Sequence, residues 1–192
     1  MESPKGKYWF VFMATILTLV QSAPAEEVFE IDNSHSAVLF SVSHFNIGYI
    51  YGRFNTCSGK ITIDKETPEN SSFQFAIETK SIDTNDIARD NHLRGGDFFN
   101  VQAHPNIEFK STSVKVSGGN YRVVGKIKIR EVEQEVSIPF QLLGVGKGPF
   151  GNTRMGMLAK FSVKRSDFGM TEMLESIGDD VAITFSLQGI LK

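Results

Sequence analysis

The groups able to do chemistry in this chain are few and scattered. Its four histidines, His35, His44, His92 and His104, stand at no i,i+2 or i,i+4 spacing to one another or to Cys57, the only cysteine. A zinc site of the common kind needs such spacing to bring two ligands to one face, so no metal signature is present. There is no G-x-S-x-G elbow, phosphate loop or dinucleotide fingerprint, and Cys57 lacks the local signature of a catalytic thiol. The chain therefore reads as a non-enzyme, with no catalytic residue, metal or cofactor. His44 shares a face with Phe40 and Val42, as the polar tip of an apolar pocket or as a satisfied core histidine. The other polar group of interest is the run Arg89-Asp90-Asn91-His92-Leu93-Arg94.

That run calls for a short helix. Thr84 or Asn85 is a suitable N-cap and Gly95-Gly96 a suitable stop, bracketing about ten residues without proline. Asp90 and Arg94 stand at the favourable i,i+4 order, and Asp86 reaches Arg89 one turn on. Ile87 and Leu93 are six positions apart, so the helix has no apolar stripe to dock it. It is either a solvated connector or a piece whose polar groups are buried with partners. Met170, Met173, Leu174 and Ile177 follow an i, i+3, i+4, i+7 pattern, which predicts a second short helix before Gly178, either over a cavity mouth or packed under a long connection.

The rest of the chain alternates with period two. Val38, Phe40, Val42 and His44 lie on one face of a strand, and the pattern returns in Phe73-Phe75-Ile77, Tyr121–Ile129, Val136–Leu142, Met155–Val163 and Val181–Leu187. Gly118-Gly119-Asn120 marks a hairpin, and Gly59 a bulge or sharp bend. About eight such strands make an antiparallel up-and-down β-barrel with one or two short helices, or a two-sheet sandwich. Sixteen phenylalanines, many on the inward faces, form either a packed core or the wall of an apolar cavity.

The N-terminus sets the compartment. Lys5 and Lys7 precede an apolar run from Tyr8 to Val20, and Ala23 and Ala25 give the small-residue spacing of a signal peptidase site. Residues 1–25 read as a signal peptide cleaved after Ala25, leaving residues 26–192 as one domain. No segment is long and apolar enough for a stable membrane span. A lone cysteine excludes an intramolecular disulfide, so burial must hold the fold together even in an oxidising compartment, and Cys57 reads as a small buried apolar residue. The formal net charge of −2, with lysines alternating against apolar neighbours, excludes a nucleic-acid binder.

The order of motifs is similar to that of the YceI-like polyisoprenoid-binding family of secreted bacterial proteins with a lipocalin-like barrel. The resemblance rests on Phe40-Ser41-Val42-Ser43-His44, Gly52-Arg53-Phe54, Ser81-Ile82-Asp83-Thr84, Arg89 to Arg94, Asp97-Phe98-Phe99, Pro105 to Ser111 and Arg165-Ser166-Asp167-Phe168-Gly169. It implies a periplasmic carrier or store for a long-chain isoprenoid or similar amphiphilic lipid, and admits a homodimer. By that analogy the tail lies among Val38, Phe40, Val42, Phe54, Phe73, Phe75, Ile77, Phe109, Ile127, Phe140, Phe161 and Phe185. The polar end falls to His44, His92 and Arg94. Gly95-Gly96, His104, Arg130-Glu131 and Cys57 depart from the family pattern, mostly in loops. An enzyme acting on such a lipid, or an interaction module with a filled barrel, are the alternatives.

Overall fold

The computed structural model describes residues 26–192, and the segment expected to be a signal peptide, residues 1–25, lies outside them. The strands are β1 (Glu27–Ile31), β2 (Ala37–His44), β3 (Gly48–Phe54), β4 (Cys57–Ile63), β5 (Ser72–Glu78), β6 (Ile82–Asp83), β7 (Asn106–Ser117), β8 (Asn120–Ile129), β9 (Val132–Lys147), β10 (Thr153–Lys164) and β11 (Ile177–Leu191), with one α-helix, α1 (Ile87–Arg94). β1 and β2 both run antiparallel to β11, in registers Phe29↔Leu191 and Phe40↔Ile183. They are therefore two halves of one strand line, broken where Asp32 caps a 3-10 turn by accepting from Ser34 N at 3.1 Å. β4 and β3 form the next line beside them, and β5 and β6 the third. Counted this way, eight antiparallel lines follow one another in chain order, and β1 against β11 closes the barrel. Closure leaves only short free edges.

The period-two faces dictate the interior. Phe29, Ile61, Phe73, Val123, Phe140, Met157 and Leu187 are each at most 1% exposed. Burying a side chain of this size contributes about 1.5–3 kcal/mol, so this half of the barrel supplies most of the stability. Gly118 and Gly119 make the two-residue hairpin turn between Ser117 and Asn120. Gly59, at φ +147°, passes so close to the Gln74 carbonyl that no side chain would fit, which is how β4 bends into the barrel.

The two ends differ. Pairing between β5 and β7 stops at Glu78↔Asn106, and β6 is only two residues long. The gap above is filled by α1 and the segment after it. α1 starts later than the sequence signals indicate, because its N-cap is Asp86, whose carboxylate accepts from Arg89 N at 2.8 Å. The expected Asp90–Arg94 pair does not form. Asp90 is buried and accepts from Thr84 N at 2.8 Å and Thr84 Oγ1 at 2.6 Å, while Arg94 turns to backbone carbonyls. The second predicted helix is also absent: a 3-10 turn at Arg165–Phe168 leads into a loop in which Met170 is buried but Met173 and Leu174 are exposed. Met173 sits at φ +55°, which interrupts any helical face.

Candidate functional site

A cavity of about 180 Å³ lies inside the barrel beneath α1. β2 contributes Phe40 and Val42, β3 contributes Ile50 and Phe54, and β11 contributes Val181 and Ile183. Leu93, Phe98 and Phe99 form its roof, with Met170 from the connection between β10 and β11 and Ile177 from the start of β11. Among the described residues its polar lining side chains are His44, Arg89, His92 and Arg165, all nitrogen donors or cations, with no carboxylate among them. His92 is exposed as well as lining, so the cavity reaches the surface beside α1.

Local structure positions each of these groups. His44 ends the inward series Val38, Phe40, Val42 and packs edge-on to Phe45, with ring centroids 4.4 Å apart. Arg89, His92 and Leu93 stand at i, i+3 and i+4 and so share the face of α1 turned to the cavity. Arg89 is fixed by Nε donating to Thr84 Oγ1 at 2.8 Å and Nη2 to Thr84 O at 2.7 Å. His92 meets Phe98 edge-on at 5.0 Å.

Arg165 is 5% exposed. It donates from Nε to Gly178 O at 3.0 Å, from Nη1 to Met170 O at 2.8 Å and Glu172 O at 2.7 Å, and from Nη2 to Ile177 O at 2.9 Å. Those bonds use four of its five N–H groups, and one stays without a protein acceptor among the described residues. Burial lowers its pKa from the ordinary arginine value, opposed by the charges of Asp179 and Glu172. Asp179 is itself held below the usual carboxylate range, first by Ser166 N–H and also by the Ser166 hydroxyl.

The residues expected to touch a ligand therefore divide into groups. Phe40, Val42 and Phe54 line the cavity together with His44 and His92. Val38, Phe73, Phe75, Phe109, Ile127, Phe140 and Phe185 are buried in the core below, with Ile77 and Phe161 half-buried against it. Arg94 is not among the lining residues; it donates to Lys80 O at 2.9 Å and Ile82 O at 2.6 Å, tying α1 to β6. Arg89 and Arg165 belong to the sequence motifs named above but not to the polar end expected from them. A signal for Arg165 exists, since it continues the inward series Met157, Ala159, Phe161, Val163. The helix face Arg89-His92-Leu93 carries no apolar-stripe signal, because two of its three residues are polar.

A closed up-and-down barrel, half filled by aromatic side chains and half hollow beneath a polar helix, defines a lipocalin-like fold. The chain belongs to the YceI-like domain family, whose model matches residues 29–189. A UPF0312 protein of Pseudomonas paraeruginosa is 33% identical over 92% of this chain and 93% of its own length. One from Pectobacterium atrosepticum is 34% identical over 86% of each. Among solved structures, BcnA of Burkholderia cenocepacia superposes with TM-score 0.74 at 24% identity, over 82% of this chain and 98% of that one. A polyisoprenoid binding domain from Saccharophagus degradans, described as implicated in plant cell wall breakdown, superposes at 0.66 and 16% identity, over 85% and 98%.

Proposed function

We propose that this protein binds an isoprenoid or similar amphiphilic lipid, seating apolar chain in the cavity beneath α1, and carries or stores it in the periplasm without chemical change. The observation that carries this reading is the composition of the cavity wall: hydrocarbon throughout, with His44, Arg89, His92 and Arg165 as its polar groups among the described residues. Each methylene transferred from water contributes about 0.8 kcal/mol, so apolar chain supplies the affinity. Nitrogen donors with no facing carboxylate favour a head group that accepts hydrogen bonds or carries negative charge, such as a phosphate or carboxylate. The structural likeness to a polyisoprenoid binding domain supports the same ligand class.

Native mass spectrometry of protein recovered from its own host tests this reading. The expected result is a polypeptide beginning at Glu26, found in the periplasmic fraction with a co-purifying lipid. Titration with prenyl phosphates and prenyl alcohols should then show uptake without turnover. Recovery free of lipid, together with no uptake of any prenyl chain, overturns the proposal.

A further inference from the structure

The inward positions of the barrel fall into layers two residues apart, and on β2, β7, β8, β10 and β11 the cavity ends at a layer boundary, while on β3 it reaches Phe54, the partner of Val38. Ile183 lines it and Phe185 does not; the same step separates Ile107 from Phe109, Ile129 from Ile127, Val163 from Phe161 and Phe40 from Val38. These five lower residues form a floor, and Phe75 fills its centre, with ring centroids 5.1 Å from Phe185 and 5.9 Å from Phe109. The floor is tight: Phe185, Phe75 and Phe109 are 5%, 4% and 6% exposed. A side chain at Gly125 would clash with the Phe109 ring, at 2.6 Å from Cζ, so the absence of one there is what lets that ring lie flat in the floor.

Above this floor the space is short. His44 and Phe40 are four residues apart, roughly 10 Å along the barrel axis at about 3.3 Å per residue and a tilt near 40°. A cavity near 180 Å³ is little larger than an engineered apolar core cavity of roughly 150 Å³ that binds a single benzene molecule. It holds about seven carbon atoms by that comparison, between one and two isoprene units.

We infer that Phe75, Phe109 and Phe185 are a chain-length stop: the site encloses only a terminal segment of about one to two isoprene units, and the rest of a longer chain stays outside the mouth. This rests on the lipid-binding reading above and narrows its ligand class. Affinity should then rise with chain length only until the enclosed segment is complete.

The test is a binding series of geraniol, farnesol and geranylgeraniol, measured by native mass spectrometry and by displacement of a fluorescent fatty acid. In the wild type the three should agree within about threefold. Phe185→Ala removes a ring from the floor and so deepens the cavity by the volume of that side chain, and farnesol should then bind at least about tenfold tighter than geraniol. Phe185→Leu, a milder change that keeps the core filled, should shift the preference the same way by a smaller factor. Ile183→Phe raises the floor by one layer and should weaken geraniol binding about tenfold. Wild-type protein that gains tenfold or more from geraniol to geranylgeraniol overturns the stop while leaving lipid binding intact. Unchanged preference in both Phe185 variants also overturns it. Failure to bind any of the three overturns the lipid-binding reading and the stop with it.

Discussion

Arg165 combines two roles that pull on the same guanidinium. Its bonds to four carbonyls close the loop from residue 170 to residue 178 over the cavity, and its charge is left in an apolar wall without a carboxylate partner among the lining residues. Arg165→Met strands those carbonyls, and each buried group left unsatisfied costs about 1–3 kcal/mol, less where water replaces the donor. A loss of about 3 kcal/mol is expected, which for a chain of this size lowers Tm by roughly 6–12 °C. Arg165→Lys should not restore it, because an ammonium on a flexible stem cannot span the fork; thermal melting of the two variants decides, and a lysine variant with wild-type Tm refutes the account. Arg89 and Arg94 offer a contrast within one helix. Arg94→Ala should lower stability without altering head-group preference, since its bonds go to Lys80 and Ile82. Arg89→Gln should cut the preference for prenyl phosphate over prenyl alcohol about tenfold, read from the ratio of dissociation constants. Cys57 is buried, and desolvation pushes its thiol up from the ordinary cysteine value. It should resist maleimide at mildly alkaline pH until the barrel unfolds.

At the scale of elements, the connections are held by aspartates acting as hydrogen-bond acceptors. Asp32 is drawn below the usual carboxylate range first by Arg154, at 2.6 Å, and Asp64 first by the Thr67 N–H. Asp83 is lowered first by the Asn85 N–H, and Asp179 by the Ser166 N–H. A carboxyl whose folded pKa lies below its unfolded value of about 3.9 contributes fully above that value, and the contribution disappears as pH falls through the lower folded pKa. Stability should therefore be level from neutrality to about pH 5 and fall below about pH 4. Asp179→Asn should lower Tm at pH 7 and flatten the acid limb, so that it and the wild type converge toward pH 3 or lower (about one unit below the unfolded value). Equal acid slopes would show that Asp179 takes no part. These same connections mark where sequence reasoning stopped. Strand alternation made the barrel legible, because a face repeating every two residues is a local property that survives burial. The helix boundary was misplaced because three adjacent polar residues can each cap, and Asp86 wins once Thr84 is taken by Asp90 and Arg89. The apolar spacing of the loop after Arg165 mimics that of a helix. Its conformation is set instead by the Arg165 guanidinium of the 3-10 turn just before it, through bonds to loop carbonyls that apolar spacing does not encode.

The whole molecule is a barrel with unequal halves, and this inequality governs where it can move. One half holds a ladder of rings from Tyr121 through Phe73, Phe140 and Phe75 to Phe185, with successive centroids 5.1 to 6.0 Å apart. Opening it exposes several aromatic side chains at once, so its amides should exchange only by global unfolding. The other half is closed by pieces that bury little: α1 has Ile87 at 80% exposure, the β2–β3 turn has Phe45 and Ile47 at 52% and 88%, and Met173 and Leu174 are exposed above the cavity. Phe45, Asn46 and Met173 all have positive φ, an uncommon backbone state for residues other than glycine, and the Phe45 N–H to Ser176 O bond ties the two turns together at 2.7 Å. Local opening of these pieces costs less than global unfolding, which gives a bound chain its way in. Hydrogen exchange should accordingly show two classes of amide. Those of β8, β9 and the middle of β10 should share one slow rate, while residues 45–50, 84–100 and 170–177 should exchange through cheaper openings. A bound prenyl chain should slow the second class and leave the first unchanged. Uniform protection across both halves, or ligand-induced slowing confined to the ring ladder, would mean that the chain enters through the filled half and that the cavity beneath α1 is not its seat.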